Sequence, residues 1–283
     1  MKIGIFDSGY GGLTILDKIR ERLPEFDYIY LGDNARAPYG TRSFEVIYEY
    51  SLQAVRWLEQ QGCRLIILAC NTASAKALRT IQQRDIDPER LRVLGVIRPT
   101  VEAVPAIMQT GHVGILATPA TVSSTSYVLE LEKINAMRGD GKQLVVEQQA
   151  CPMWVPLIES GEHMDRGADF FVDKYLSELY SKDPQIDTLV LGCTHYPLLI
   201  EKIQGWLTSY ALNGGIHATP ICQGGIVADS LSDYLRRHID IEQALSRNGT
   251  CRFVTTESTT KFCDSASLFL STAVEAEHIE LPE

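Results

Sequence analysis

The chain has 283 residues, 45% hydrophobic and 22% charged, an ordinary globular composition long enough for one large or two medium domains. A net charge of −10 argues against a nucleic-acid backbone as the main partner, and no apolar run approaches the ~20 residues of a membrane helix. Met1-Lys2-Ile3-Gly4-Ile5-Phe6 runs straight into Asp7, which does not fit a cleavable signal peptide, so a cytoplasmic protein is expected.

Residues 2–6 are expected as a strand and 12–23 as a helix, with Leu13, Leu16, Ile19 and Leu23 at helical spacing. A strand at 28–31 and a helix at 43–61 follow, the helix carrying Val46, Ile47, Tyr50, Leu52, Val55 and Leu58. A strand at 65–69, a helix at 73–84 and a strand at 92–97 complete a βαβα rhythm, which implies a parallel sheet covered on both faces. The rhythm restarts near Pro99. Strands at 112–117 and 144–148 flank a helix around 121–134, and a helix at 165–181 precedes a strand at 187–191. Beyond 200 come an amphipathic helix, a Gly214-Gly215 connection, a helix near 225–238 and a short strand at 251–255. The expected fold is α/β, with two similar doubly wound domains and mainly parallel sheets. The first domain comprises 1–98 plus 208–283 and the second 99–207.

Two segments look like rewritten copies of each other, Leu65-Ile66-Ile67-Leu68-Ala69-Cys70-Asn71-Thr72-Ala73 and Thr188-Leu189-Val190-Leu191-Gly192-Cys193-Thr194-His195-Tyr196-Pro197. Each is a buried-strand pattern ending in a small residue and a cysteine. That places a thiol at the carboxyl edge of a sheet, where open α/β folds bind ligands. Two such edges can present two thiols to one ligand from opposite sides, the geometry for removing a proton from one face of a carbon and returning one to the other. Asn71, Thr72 and Thr194 add donors suited to a carboxylate, and His195 can poise the second thiol as Asp7 poises the first. Asp7 is equally read as a helix cap. Asp7-Ser8-Gly9-Tyr10-Gly11-Gly12 opens the first helix with three glycines that allow close backbone approach to an anion. Gly32-Asp33-Asn34-Ala35-Arg36-Ala37-Pro38-Tyr39-Gly40 is a turn that can offer the Tyr39 hydroxyl and the Gly40 N–H, or a plain surface loop.

The seven cysteines are widely spaced with no CxxC, so neither a disulfide framework nor a zinc ribbon is expected. Cys63, Cys222, Cys251 and Cys263 read as small buried hydrophobes. A Cys193–His195 nucleophile pair would give a thiol hydrolase or transferase, but leaves Cys70 without a role.

Asp7-Ser8-Gly9-x-Gly11-Gly12, Gly32-Asp33-x-x-Arg36-x-Pro38-Tyr39-Gly40, Ala69-Cys70-Asn71-Thr72-Ala73 and Gly192-Cys193-Thr194-His195-Tyr196-Pro197, in this order, resemble the glutamate racemase family of cofactor-independent amino-acid racemases. Gly95-Val96-Ile97, Gly114-Ile115-Leu116-Ala117-Thr118 and the segment from Ala150 to Glu159 extend the likeness over most of the chain. Arg98 and Ala120 depart from the family pattern. The resemblance implies two α/β domains with the site in the cleft between them, and racemisation of L- to D-glutamate for peptidoglycan without pyridoxal phosphate or metal. It casts Cys70 as the base toward the D enantiomer and Cys193 toward the L enantiomer. Asp7 assists Cys70, His195 and Glu159 assist Cys193, and Asp7, Ser8, Tyr39, Gly40, Asn71, Thr72, Thr118, Thr194 and His195 hold substrate. It also implies a homodimer. Two other readings stand beside it: racemisation of aspartate or another amino acid, and a catalytically silent protein binding an amino acid or a partner such as DNA gyrase.

Overall fold

A computed structural model describes residues 1–138 and 144–282. The first half runs β1 (Lys2–Asp7), α1 (Leu13–Arg22), β2 (Tyr28–Gly32), α2 (Phe44–Gln60), β3 (Cys63–Leu68), α3 (Asn71–Lys76), α4 (Leu78–Arg84), β4 (Arg92–Gly95) and α5 (Ile97–Ile107). There follow β5 (His112–Ala117), α6 (Pro119–Ser124), α7 (Ser126–Arg138), β6 (Val145–Ala150), α8 (Trp154–Glu159), α9 (Arg166–Lys182), β7 (Thr188–Gly192), α10 (Ile200–Leu212) and β8 (Thr219–Ile221). The chain ends with α11 (Gln223–Arg237), α12 (Ile239–Ala244), β9 (Cys251–Thr255), α13 (Thr259–Ala266) and β10 (Ala276–His278).

The strands form two sheets, ordered β10-β9-β2-β1-β3-β4 and β6-β5-β7-β8, with parallel pairing throughout. Parallel strands need helical crossovers that cover both faces, so their sequences read as continuous apolar runs. In the first sheet Ile3, Ile5, Leu65 and Ile67 pack under α1 and α11 on one face, while Phe6, Ile66 and Leu68 pack under α2 on the other. In the second, Leu189 and Leu191 face α9 and α10, whereas Val113, Ile115 and Val190 face α5 and α7. Strand order reverses between β1 and β3 in one sheet and between β5 and β7 in the other. Those two reversals are the crevices where such folds place ligands.

Several expected boundaries move. β4 stops at Gly95, and Val96-Ile97 turn into α5 instead of extending the strand. Pro99 sits in that helix's first turn, where a missing N–H leaves no bond unmade. Ile97, Val101 and Val104 give α5 its buried stripe. The helix expected at 73–84 breaks at Ala77, and the one at 121–134 breaks at Thr125, which is left-handed at φ 54°. Residues 219–221 still pair with β7, so the return to the first sheet follows them rather than residue 207. Among the cysteines read as buried, only Cys63 is. Cys222 is exposed in the turn before α11, and Cys251 and Cys263 are partly buried. No helix among the described residues is long and apolar enough to cross a membrane.

Candidate active site

Each switch strand ends at a thiol's neighbourhood. Phe6 pairs with Leu68, so the carboxyl end of β1 (Asp7, then Ser8) and the residues after β3 (Ala69, then Cys70) leave the first sheet side by side. Ala117 pairs with Gly192, which sets Thr118 beside Cys193 in the second. Cys70, Cys193, Ser8, Thr72, Thr194 and Glu159 all line one cavity of about 80 Å³. Both cysteines are only 6% exposed.

Around Cys70, the Ser8 Oγ lies 3.2 Å from the sulfur, and the Ala73 N–H points at it from 3.5 Å, so Cys70 caps α3. Burial and the negative charge of Asp7 push this thiol up to about 12, against the opposing donors Ser8 and Ala73. At neutral pH Cys70 therefore carries its proton. The N-cap of α1 is Gly12, whose N–H is donated to the Asp7 carboxyl. That carboxyl also accepts from the Gly9 N–H at 2.8 Å and from the Thr194 hydroxyl at 3.3 Å, a link between the two sheets. Burial raises the Asp7 pKa, opposed by the His195 charge and these donors.

Around Cys193 the balance is opposite. The His195 Nδ1 lies 3.9 Å from the sulfur, and Nε2 lies 2.9 Å from Glu159 Oε1. Burial works against a charged imidazole, but the sulfur and the carboxylate outweigh it and push His195 up to about 10. As an imidazolium it donates from both nitrogens, and it sets a positive charge beside Cys193. Phe269 packs edge-on to the ring at 5.5 Å, and Tyr10 stacks on Phe269 while donating to Glu257. One thiol is thus held neutral and the other faces a cation.

The glycine loop works by close packing across the two halves. A Cβ on Gly11 would overlap His195 Nδ1 and Thr194 Oγ1, and one on Gly12 would overlap Asp7. Gly40 likewise lies against Thr118, whose neighbour Ala120 donates its N–H to the Gly40 carbonyl at 2.9 Å. The Thr72 and Thr118 hydroxyls meet at 2.9 Å on the cavity wall.

Two expected substrate ligands, Tyr39 and Asn71, line the same cavity but have side chains held by protein partners. The Tyr39 hydroxyl is buried and donates to Asp33, which also accepts Arg36 Nε at 2.7 Å and Thr256 Oγ1 at 2.9 Å. The Asn71 amide is engaged with Gln223 and Tyr127, at 2.6 Å each. A third buried thiol, Cys151, also lines the cavity, but it donates to the Gln149 carbonyl and burial holds it well above the ordinary thiol range. Phe269, Tyr127 and Gln223 carry no sequence signal of their own, because isolated residues far along the chain become neighbours only through the fold.

The family model for Asp/Glu/Hydantoin racemase matches residues 10–210. The chain is similar to glutamate racemase of Roseobacter denitrificans, 41% identical over 97% of this chain and 98% of the relative. Among solved structures it is similar to glutamate racemase isoform RacE1 of Bacillus anthracis, with 32% identity, a TM-score of 0.86 and coverage of 99% and 98%. It is also similar to the glutamate racemase of Francisella tularensis in complex with D-glutamate, with 33% identity, a TM-score of 0.84 and coverage of 99% and 97%.

Proposed function

This chain belongs to the Asp/Glu/hydantoin racemase family, and from that premise we propose that it interconverts L- and D-glutamate with Cys193 and Cys70 as paired acid–base groups. What supports the reading is one cavity lined by two buried thiols in opposite electrostatic settings. Cys193, facing the His195 imidazolium, is the base that takes the α-proton of L-glutamate. Cys70, kept neutral by burial and Asp7, delivers its proton to the opposite face and becomes the thiolate. D-Glutamate runs the same steps backwards, with Cys70 as base and Cys193 as acid.

Charge that develops toward the substrate α-carboxylate meets hydroxyl donors at Ser8 and Thr194 and the loop at Gly40. Tyr39 acts from behind that loop through Asp33, and Asn71 acts through its backbone and its hold on α3. Glu159 keeps His195 charged. Parting of the two halves admits substrate, and their closure excludes water from the carbanion.

The product would serve peptidoglycan assembly. All seven cysteines are free thiols, which supports a cytoplasmic location. A homodimer belongs to the same proposal. Two thiols read only the α-carbon, so aspartate is the competing substrate, and the side chain is read by the wall at Thr72 and Thr118. Incubation of reduced protein with L-glutamate, followed by optical rotation, tests the reading. Decay to zero with glutamate and not with aspartate is expected. Unchanged rotation with folded protein, or decay with aspartate alone, would overturn it.

A further inference from the structure

We infer that Gln223 is a positioning residue for the Cys70 thiol, acting through a closed ring of buried hydrogen bonds with Asn71 and Tyr127. The Gln223 Nε2 donates to the Tyr127 hydroxyl at 2.9 Å, that hydroxyl donates to Asn71 Oδ1 at 2.6 Å, and Asn71 Nδ2 donates to Gln223 Oε1 at 2.6 Å. The second proton on Gln223 Nε2 goes to Thr100 Oγ1 at 2.8 Å, and Thr100 donates in turn to the Val96 carbonyl at 2.7 Å. Donors and acceptors alternate around this circuit, so a flipped amide at either Asn71 or Gln223 would set like against like. All four residues are buried, Gln223 at 2% exposure and Tyr127 at 0%. They come from α3, α5, α7 and α11, so the circuit ties the first turn of α3 to α5 and α7, which pack on the second sheet, and to α11, which packs on the first.

Asn71 is the residue after Cys70, and Cys70 is the cap of the helix that Asn71 begins. Holding the Asn71 side chain therefore fixes the turn that aims the sulfur. Gln223 does not line the cavity that holds the two thiols. A buried ring of this kind is strongest when complete and costly when one member is lost.

The inference rests on the assignment of Cys70 above, so its test includes a readout independent of turnover. Gln223→Met keeps the volume and removes the ring's bonds. Tyr127→Phe, a milder change that keeps the packing, breaks the ring at one bond each way. Thr100→Val removes only the outer branch. In Gln223→Met and Tyr127→Phe, alkylation of Cys70 by iodoacetamide, followed by peptide mass spectrometry, should quicken about tenfold while Cys193 changes less than about threefold. Their kcat should fall about 10- to 100-fold with KM within about threefold, since small misplacement of a reacting group has effects of that size. The double variant should be no worse than the poorer single, and Thr100→Val should lower Tm with kcat nearly unchanged. Equal alkylation of the two thiols in all variants, or loss of Tm with parental kcat in Gln223→Met, would overturn the inference. The described change of Cys70 alkylation in the variants, together with a parent that does not turn over glutamate, would sink the activity and leave the ring standing.

Discussion

Replacing Glu159 by Gln should uncouple the second thiol from its charge in the alkaline range. In the folded protein His195 titrates at about 10 against an ordinary 6.5, a difference of about 5 kcal/mol in favour of the imidazolium. The carboxylate supplies part of this through the 2.9 Å bond to Nε2. A hydrogen bond to a charged partner contributes about 1.5–3 kcal/mol, so the neutral amide should bring His195 down to about 8–9. At pH 9 the charged fraction then drops from about nine-tenths to between about one-tenth and one-half. The assay is kcat under saturating L-glutamate between pH 6 and 10. Between pH 7 and pH 9, Glu159→Gln should lose about two- to tenfold while the parent loses only about a tenth of its rate. The substrate's own ammonium is common to both enzymes, so the difference reports on His195. Stability should follow the same group. A raised imidazole contributes stability that is complete below pH 6.5 and is lost as pH rises through about 10. Tm should accordingly fall across that window in the parent and fall less in the variant. Superimposable profiles in rate and in Tm would refute the role given to the His195–Glu159 pair.

Cys70→Ser and Cys193→Ser should each remove racemisation, because a hydroxyl cannot hold the required negative charge at neutral pH; a variant keeping more than about a tenth of the rate would sink the two-thiol assignment. Gly11→Ala drives a methyl group into His195 and Thr194, and overpacking of about 1–3 kcal/mol predicts kcat/KM down by roughly 5- to 150-fold, with parental kinetics as the contrary result. Asp33→Asn weakens a carboxylate at 0% exposure that holds Arg36, Tyr39 and Thr256 together. A loss of about 3–5 kcal/mol in urea unfolding is expected, and one below about 1 kcal/mol would show that this cluster does not hold the Tyr39–Gly40 loop.

Much of this site lies open in the sequence because both thiols follow short apolar runs. A parallel strand buried on two faces has no other way to read, and the residues just past it sit at the ligand edge by topology. Cys70 and Cys193 needed only that. The glycine loop was legible as a place of close approach, but not what approaches: Gly11 makes room for His195 from the other half instead of an anion. Tyr39 and Asn71 show the same limit. Their donors suit a carboxylate, yet the fold supplies Asp33, Gln223 and Tyr127 as nearer partners, and Gln223 comes from far along the chain. α5 was hidden because Val96-Ile97 continue an apolar strand pattern and two prolines obscure the helical spacing of Ile97, Val101 and Val104.

The most direct measurement is the fate of the α-proton when the reduced parent enzyme turns over L-glutamate in D₂O. Two thiols on opposite faces predict that D-glutamate formed at early times carries deuterium at the α-carbon, while the remaining L-glutamate is still largely protonated. D-Glutamate that instead retains the original proton would mean that one base removed and returned it, and would contradict the account.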